Sequence, residues 1–375
     1  MRKILFSSLL FLAGITTSAQ DKTRELISKP KLSGYFIGRY QASLKDGDKS
    51  NSFDIRMARL SLSGRIYEDF EYRVQGQING NTETLGSSPR LIDAFAEWQK
   101  YDFFKVKAGQ FKRPFTFENP MNPIDQGFMG NSQVVNKLSG GSDRTGEHSS
   151  NGRDIGVQIQ GDLFKKPSGH YLLHYQVGVF NGQGINTKDA DNRKDIIGGA
   201  WIMPVSGLRF GVFGWLGSHA REGKWTETTD GITTEHSGIV SLSRYRYALS
   251  AEYRHDDWQI RAEYIHNTGY GFKTTYQQDD DKEDATVNIA QGNKADGFYA
   301  LCIAPIIKGR LRAKARYDLY RNTATWSDSR TQYEAGLNFI VNKHIEVQAE
   351  YAFVNDKSQM KHNYSIADIE LCVNF

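Results

Sequence analysis

The sequence predicts an all-β chain: a transmembrane antiparallel β-barrel of about sixteen strands. Three observations predict it. Apolar and polar residues alternate with period two along many segments. The connections between those segments are alternately short and long. The amino terminus reads as an export signal, while no later stretch can cross a membrane as a helix.

Export comes first in the chain. Arg2 and Lys3 form a positive start, residues 4–15 an apolar stretch, and Thr17-Ser18-Ala19 a small-residue cleavage site. That is the three-part pattern of a secretory signal peptide. Residues 1–19 are therefore expected to be removed on export to the outer membrane of a Gram-negative bacterium. Residues 20–34 are expected to form a short periplasmic segment, and 35–375 the barrel. Loss of Arg2 and Lys3 takes the formal charge from +4 to +2, too small a value to suggest nucleic acid as a partner. Mean hydropathy is −0.56, and no mature segment approaches the roughly 18 apolar residues of a spanning helix. The chain has 19 Tyr and 21 Phe but only 8 Pro, a composition suited to extended strands with one apolar face. Cys302 and Cys372 fall in separate strand-like segments without metal-ligand spacing, so neither a metal nor another cofactor is expected.

The alternation itself is clear. Phe70, Tyr72, Val74, Gly76 and Ile78 interleave with Glu71, Arg73, Gln75, Gln77 and Asn79. Leu311, Ala313, Ala315, Tyr317 and Leu319 interleave with Arg310, Arg312, Lys314, Arg316 and Asp318. Such a strand has one face in lipid or core and the other in water. The pattern gives strands near 35–44, 53–66, 70–80, 91–100, 103–111, 153–163, 170–180 and 195–205. It continues near 207–219, 241–254, 257–268, 296–305, 308–321, 332–341, 343–354 and 365–375.

The connections sort by length. Tyr67-Glu68-Asp69, Tyr101-Asp102 and His255-Asp256 are tight, whereas 81–90, 112–152 and 268–295 are long. Outer-membrane barrels have short periplasmic turns and long external loops, while a soluble sandwich has no reason to segregate loops by end. Lipid offers no hydrogen bonds, so the sheet must close on itself. A barrel of this size leaves an aqueous interior, which the polar faces line. The final strand alternates Ala367, Ile369, Leu371, Val373 and Phe375 with polar residues. Its terminal aromatic resembles the signal read by the barrel-assembly machinery.

Several stretches resemble the phosphate-selective porin O and P family. They are GYFIGRY at 34–40, RMARLSLSGRIYEDFEYRVQ at 56–75, GQFKRPF at 109–115, GRDIGVQ at 152–158 and YQVGVFNG at 175–182. The resemblance implies a porin for passive diffusion of small solutes that favours anions such as phosphate or pyrophosphate, in a homotrimer within outer-membrane lipid. It also implies that the third external loop folds into the barrel, which makes Lys112, Arg113 and Lys137 constriction candidates.

Register supplies the remaining candidates. Arg39, Arg59, Arg65, Arg73, Lys105 and Lys107 fall on the polar faces of the early strands. A second basic stripe comprises Arg244, Arg246, Arg254 and Arg261, continuing at Arg310, Arg312, Lys314 and Arg316. The planar guanidinium can donate two parallel hydrogen bonds to a phosphate. Acids on the same faces, among them Glu334, Glu346, Glu350, Asp368 and Glu370, concentrate in the last three strands. That arrangement suggests one basic and one acidic wall, which favours a general polar-solute porin without phosphate preference. The run 279–281 with Glu283 and Asp284 lacks the spacing of a calcium loop and reads as a solvated connection. A barrel enzyme needs a nucleophile beside an oriented base, and no such motif sits at a strand end. A non-conducting adhesive barrel is the remaining alternative.

Overall fold

The computed structural model describes residues 27–79, 89–275 and 284–375. Sixteen strands pair in sequence order into one antiparallel sheet, and β1 closes it by pairing with β16. The first four are β1 (Lys31–Ser43), β2 (Ser50–Ile66), β3 (Phe70–Gln77) and β4 (Arg90–Tyr101). Next come β5 (Phe104–Lys112), β6 (Arg153–Lys165), β7 (Tyr171–Phe180) and β8 (Asp195–Ile202). They are followed by β9 (Leu208–Thr229), β10 (Ile232–His255), β11 (Trp258–Thr268) and β12 (Lys294–Ile307). The last are β13 (Leu311–Arg321), β14 (Ser329–Asn342), β15 (Ile345–Asp356) and β16 (Asn363–Asn374). Each segment expected from the alternation is a strand. Among the described residues the one α-helix, α1 (Gln133–Leu138), lies in the third long connection.

The two faces of the sheet separate cleanly. One carries exposed apolar side chains such as Leu60, Leu62, Val74, Val179, Val212, Leu249, Ile260, Leu337 and Ile369. An apolar surface of this extent on a folded chain marks contact with lipid or partner. The other carries buried charged and amide groups, including Arg59, Gln75, Asp93, Glu97, Arg246, Glu263 and Glu370. This is the inside-out patterning of a membrane barrel. Aromatic residues gather at the short-turn end, where Tyr101 stacks on Phe103 with ring centroids 5.3 Å apart.

The structure departs from the sequence expectations in three places. Strands β9 and β10 do not stop at 219 and 241. They run on as a two-stranded ribbon to Asp230-Gly231, where φ is +53° and +79°, the pair of positive φ values a tight hairpin turn requires. Polar residues on both sides of that ribbon hid it from a periodicity test. Arg310, expected on the inner wall, sits in the exposed turn that precedes Leu311, where its N–H closes the turn onto the Ile307 carbonyl. Finally, Lys31 to Gly34 belong to β1 rather than to a separate periplasmic segment. The export signal at 1–19 lies outside the described residues.

One motif glycine has a clear structural reason. Gly109 in GQFKRPF has φ +128°, and a Cβ built on it would come 2.2 Å from the Ala94 carbonyl oxygen. Only glycine lets β4 and β5 approach there. Gly109→Val should therefore cost about 1–3 kcal/mol and lower the temperature at which the barrel loses its compact, heat-modifiable migration on a gel. An unchanged transition would contradict this reading.

Candidate functional site

The connection between β5 and β6, residues 113–152, packs against the charged face of the sheet. Its course is fixed by backbone groups that meet wall side chains. The N–H groups of Phe117 and Glu118 donate to Glu263 at 2.6 and 2.9 Å. Met129 N–H donates to Glu350 at 2.8 Å, and Gln133 N–H to Asp318 at 2.8 Å. The carbonyls are matched by wall donors. Lys314 reaches Gly127 O at 3.0 Å, Arg316 reaches Gly130 O at 2.9 Å, and Arg246 reaches Leu138 O at 2.8 Å. A buried backbone group without a partner costs free energy, so these wall charges specify the path of the loop.

An ion-pair cluster fastens its second half. Glu147 accepts from Arg113 at 2.9 Å, Arg244 at 2.8 Å and Ser150 at 2.8 Å. Arg113 also pairs with Asp154, and Arg244 with Asp195, each at 2.8 Å. Arg246 holds Asp143 at 2.7 Å. Trp215 lies beneath these cations, with the guanidinium carbons of Arg113, Arg244 and Arg246 4.8, 4.5 and 4.6 Å from its ring centroids. Burial alone would raise the Glu147 carboxyl, but Arg113 and Arg244 outweigh it and hold the group down at about 2. Burial is likewise overcome at Asp143, which Arg246 keeps below the ordinary carboxylate range.

Apolar packing completes the attachment. Phe115, Phe117, Phe128, Val134, Val135 and Leu138 form one core with Phe213, Trp215, Ile265, Tyr299, Leu301 and Ile303 of the wall. Ile124 packs against a second apolar cluster of Tyr35, Ile37 and Cys372 on β1 and β16. The connection thus touches β9 to β13, β15 and, through Ile124, the strands that close the barrel.

Strands β3 to β7, together with the start of the connection, line a narrow space. A cavity of about 190 Å³ has Arg73, Asp93, Lys107, Lys112 and Arg153 on its wall side and Pro114, Pro120 and Asn122 opposite. A second cavity of about 840 Å³ lies toward the short-turn end, where Arg209, Glu252, Arg254, Arg312 and Glu346 line it. Around the first, Arg153 grips Asp93 at 2.6 Å, and Lys112 donates to the carbonyls of Asn119 and Met121 at 2.7 and 2.6 Å. Arg59 bonds Tyr35 and Gln77, both at 3.1 Å, and its Nη2 finds no partner. Arg153, Arg59 and Arg90 are within electrostatic reach of one another, and the first two act on Lys112 as well. Asp93 and Glu118 are the carboxylates that offset them at Lys112.

The sequence candidates divide accordingly. Arg73, Lys107 and Lys112 come together around the narrow space, although Lys107 is paired with Glu97 at 3.1 Å, and Arg59 is buried within electrostatic reach of Lys112. Arg113, Arg244, Arg246 and Arg316 are instead engaged with the loop or with neighbouring acids, Arg316 with Glu334 at 2.5 Å. Arg39 pairs with Asp54 at 2.6 Å, Lys105 with Asp162 at 3.1 Å and Arg312 with Glu346 at 3.1 Å. Arg261 pairs with Glu252 at 3.3 Å, as does Arg254 at 2.9 Å. Arg65 is exposed opposite Glu71 near a short turn, and Lys137 reaches Ser142 at 3.3 Å. Acids and bases therefore sit side by side, not on opposite walls: Lys314 meets Glu350, and Arg56 meets Glu370 at 2.6 Å. Arg153 and Arg90 were missed. Arg153 stands within the GRDIGVQ stretch, but at the first residue of a strand alternation carries no information about which way it points.

Residues 33–171 match the family model described as phosphate-selective porin O and P. The resemblance read from the sequence is borne out over that stretch. No curated protein matches the chain. Among solved structures, the anion-selective porin from Comamonas acidovorans has a TM-score of 0.64 at 13% identity, covering 92% of this chain and 99% of that one. A loop-deletion form of OmpT from Vibrio cholerae gives 0.61 at 11% identity, with the same coverage. OmpF of Salmonella typhi, in complex with daunomycin, gives 0.59 at 16% identity over 92% of this chain and 97% of that one. At these identities the likeness is one of fold.

The latch makes a pH prediction. A carboxylate whose pKa is lowered on folding contributes stability that is fully present above its unfolded value and is lost as pH falls through the folded one. For Glu147 that window runs from about 4.5 down to about 2. Protonation of Glu147 should therefore make no change to single-channel conductance between pH 7 and pH 5. Glu147→Gln, which removes the charge shared by two buried arginines, should cost about 3–5 kcal/mol and give larger, noisier openings at neutral pH. Wild-type currents in the variant would show that the cluster does not hold the loop.

Proposed function

We propose that this chain is an outer-membrane porin, a passive water-filled channel that favours small anions and performs no catalysis. The observation that carries the reading is the group Arg73, Lys107, Lys112 and Arg153 lining the narrow space, with Arg59 and Arg90 within electrostatic reach of Arg153, where Asp93 is the carboxylate gripped by Arg153. The connection 113–152 is the constriction: it fills one side of the lumen and leaves solutes the strip beside β2 to β7. Arg59 and Arg73 present positive charge there, while Lys112 keeps the loop's first turn closed. Phosphate or a similar oxyanion suits guanidinium donors. Binding must stay weak enough for release, which several moderate sites in series achieve.

A cleaved signal delivers the chain, and the barrel-assembly machinery reads its final strand. One of the similar solved structures is a trimer form of OmpT, which supports a homotrimer here. The second reading, a general polar-solute porin, is favoured by the close pairing of Lys107 with Glu97 and Arg312 with Glu346, since paired charges present little net field.

Planar-bilayer recording separates the two. Each cation removed from the narrow space should weaken anion attraction by about 1 kcal/mol, close to a fivefold change in local anion occupancy. Arg59→Gln with Arg73→Gln should shift the reversal potential in a salt gradient toward cations. The shift should be larger in dilute salt, where the Debye length is about 30 Å, than at 0.1 M, where it is about 10 Å. A wild-type channel without anion preference, or a variant with an unchanged potential, supports the general porin instead.

A further inference from the structure

The lipid-facing side carries a polar row where its apolar surface ends. Tyr247, His266, Asp296 and Arg321 stand in register across β10, β11, β12 and β13. Their strand neighbours Arg246, Asn267 and Gly297 point the other way, toward the loop. Two residues nearer the short turns, the next row is Leu249, Tyr264, Phe298 and Leu319, and the one after begins Ala251, Ala262 and Ala300. The polar row is thus one step from the long connections that follow β11 and β13. On the reading proposed above, which this inference rests on, that is the external rim of the membrane.

The row has a chemistry of its own. Asp296 is only 4% exposed although it faces outward. It accepts from Arg321 Nε at 2.7 Å and Nη2 at 2.5 Å, and from the Tyr264 hydroxyl at 3.2 Å. Lys294 lies one pair further out, opposite Thr268. Asp296, Lys294 and Arg321 are the charges that act on His266. Two cations, Lys294 and Arg321, stand with one carboxylate, so the patch presents net positive charge.

Directly beneath it, an apolar groove of about 600 Å³ runs over β7 to β12. Ala200, Ala251 and Ala262 make its floor, and Phe210, Leu249 and Phe298 rise around it. Tyr264 belongs to both features: its ring lines the groove and its hydroxyl bonds Asp296. We infer that the two form one site for a phosphorylated glycolipid of the external leaflet. An acyl chain occupies the groove and the phosphate meets Lys294 and Arg321. A contact with a second copy of this chain accounts for the groove but not for the basic patch at its head.

The test uses full-length barrel stripped of lipid and then incubated with diphosphorylated lipid A or with phosphatidylglycerol, bound lipid being counted by native mass spectrometry. Wild type is expected to retain lipid A in preference to phosphatidylglycerol. K294Q removes a cation that takes no part in the Asp296 pair, and A262W fills the groove while leaving every charge in place. Each should weaken lipid A retention about tenfold, the scale of one lost charge-assisted hydrogen bond or more. Heat-modifiable migration and wild-type conductance verify that both variants fold. Unchanged retention in both variants overturns the site, and equal retention of the two lipids overturns the glycolipid assignment. If A262W alters the number of chains per particle but not lipid retention, the groove is a contact between copies. Because lipid is counted directly, a barrel that binds lipid A yet conducts nothing would refute the porin reading while leaving the site standing.

Discussion

Every backbone polar group taken out of water must find a partner, and this structure meets that requirement twice. The sheet meets it by closure: β1 bonds to β16, and no edge faces lipid. The connection between β5 and β6 faces the same demand against the charged face of the sheet, without a ladder to join. Carboxylates stand on the wall where the loop presents N–H groups, as at Glu263, Glu350 and Asp318. Cations stand where it presents carbonyls, as at Lys314, Arg316 and Arg246. The inner wall is a template for one particular loop path.

That role changes how the charges are read. A lumen-facing arginine in a barrel invites assignment to a solute, but its available hydrogens are finite. Arg244 gives them to Glu147, Asp195 and Gly182, and Arg246 to Asp143, Asn267 and Leu138. Neither has a free face for an anion. The arginines of β2 and β3 are different: Arg59 bonds Tyr35 and Gln77 of the wall, and Arg73 lines the narrow space. Arg59 retains an unbonded nitrogen. On the porin reading proposed above, selectivity follows from where the loop does not go.

The fold was legible in the sequence because its signal is redundant. Sixteen alternating segments, each ambiguous alone, agree on closure, and the loop lengths independently assign the two ends. The site was legible only in direction. Period two says which side chains point inward, as it did for Arg59 and Arg73, but not what lies opposite. Nothing in the strands at 241–254 or 308–321 announces that Arg244 and Arg316 meet loop residues more than ninety positions away. Arg310 shows the other limit, since a boundary shift of three residues moved it from wall to turn. The ribbon at 220–240 was missed because it has no apolar face to create a period, although Asp230-Gly231 is a hairpin signal in its own right.

On the porin reading proposed above, a fixed loop and a selective passage are consequences of one arrangement. Buried ion pairs are weak evidence for stability in themselves, since desolvation offsets much of their attraction. Their effect is to penalise every alternative placement, because a displaced Glu147 leaves Arg113 with Asp154 alone and Arg244 with Asp195 alone. The apolar core of Phe115, Phe117 and Phe128 supplies the net attraction, and the pairs supply the register. Pro114 and Pro120 stand on the passage side of that fixed segment, where a constrained φ reduces what fluctuation remains. With one side held still and apolar, the dielectric beside Arg59, Arg73 and Lys112 is lower than in open water, and the same few charges act more strongly on a passing ion. A mobile loop would admit water and screen them. On that reading, the charges that hold the loop set how strongly the others act on a solute.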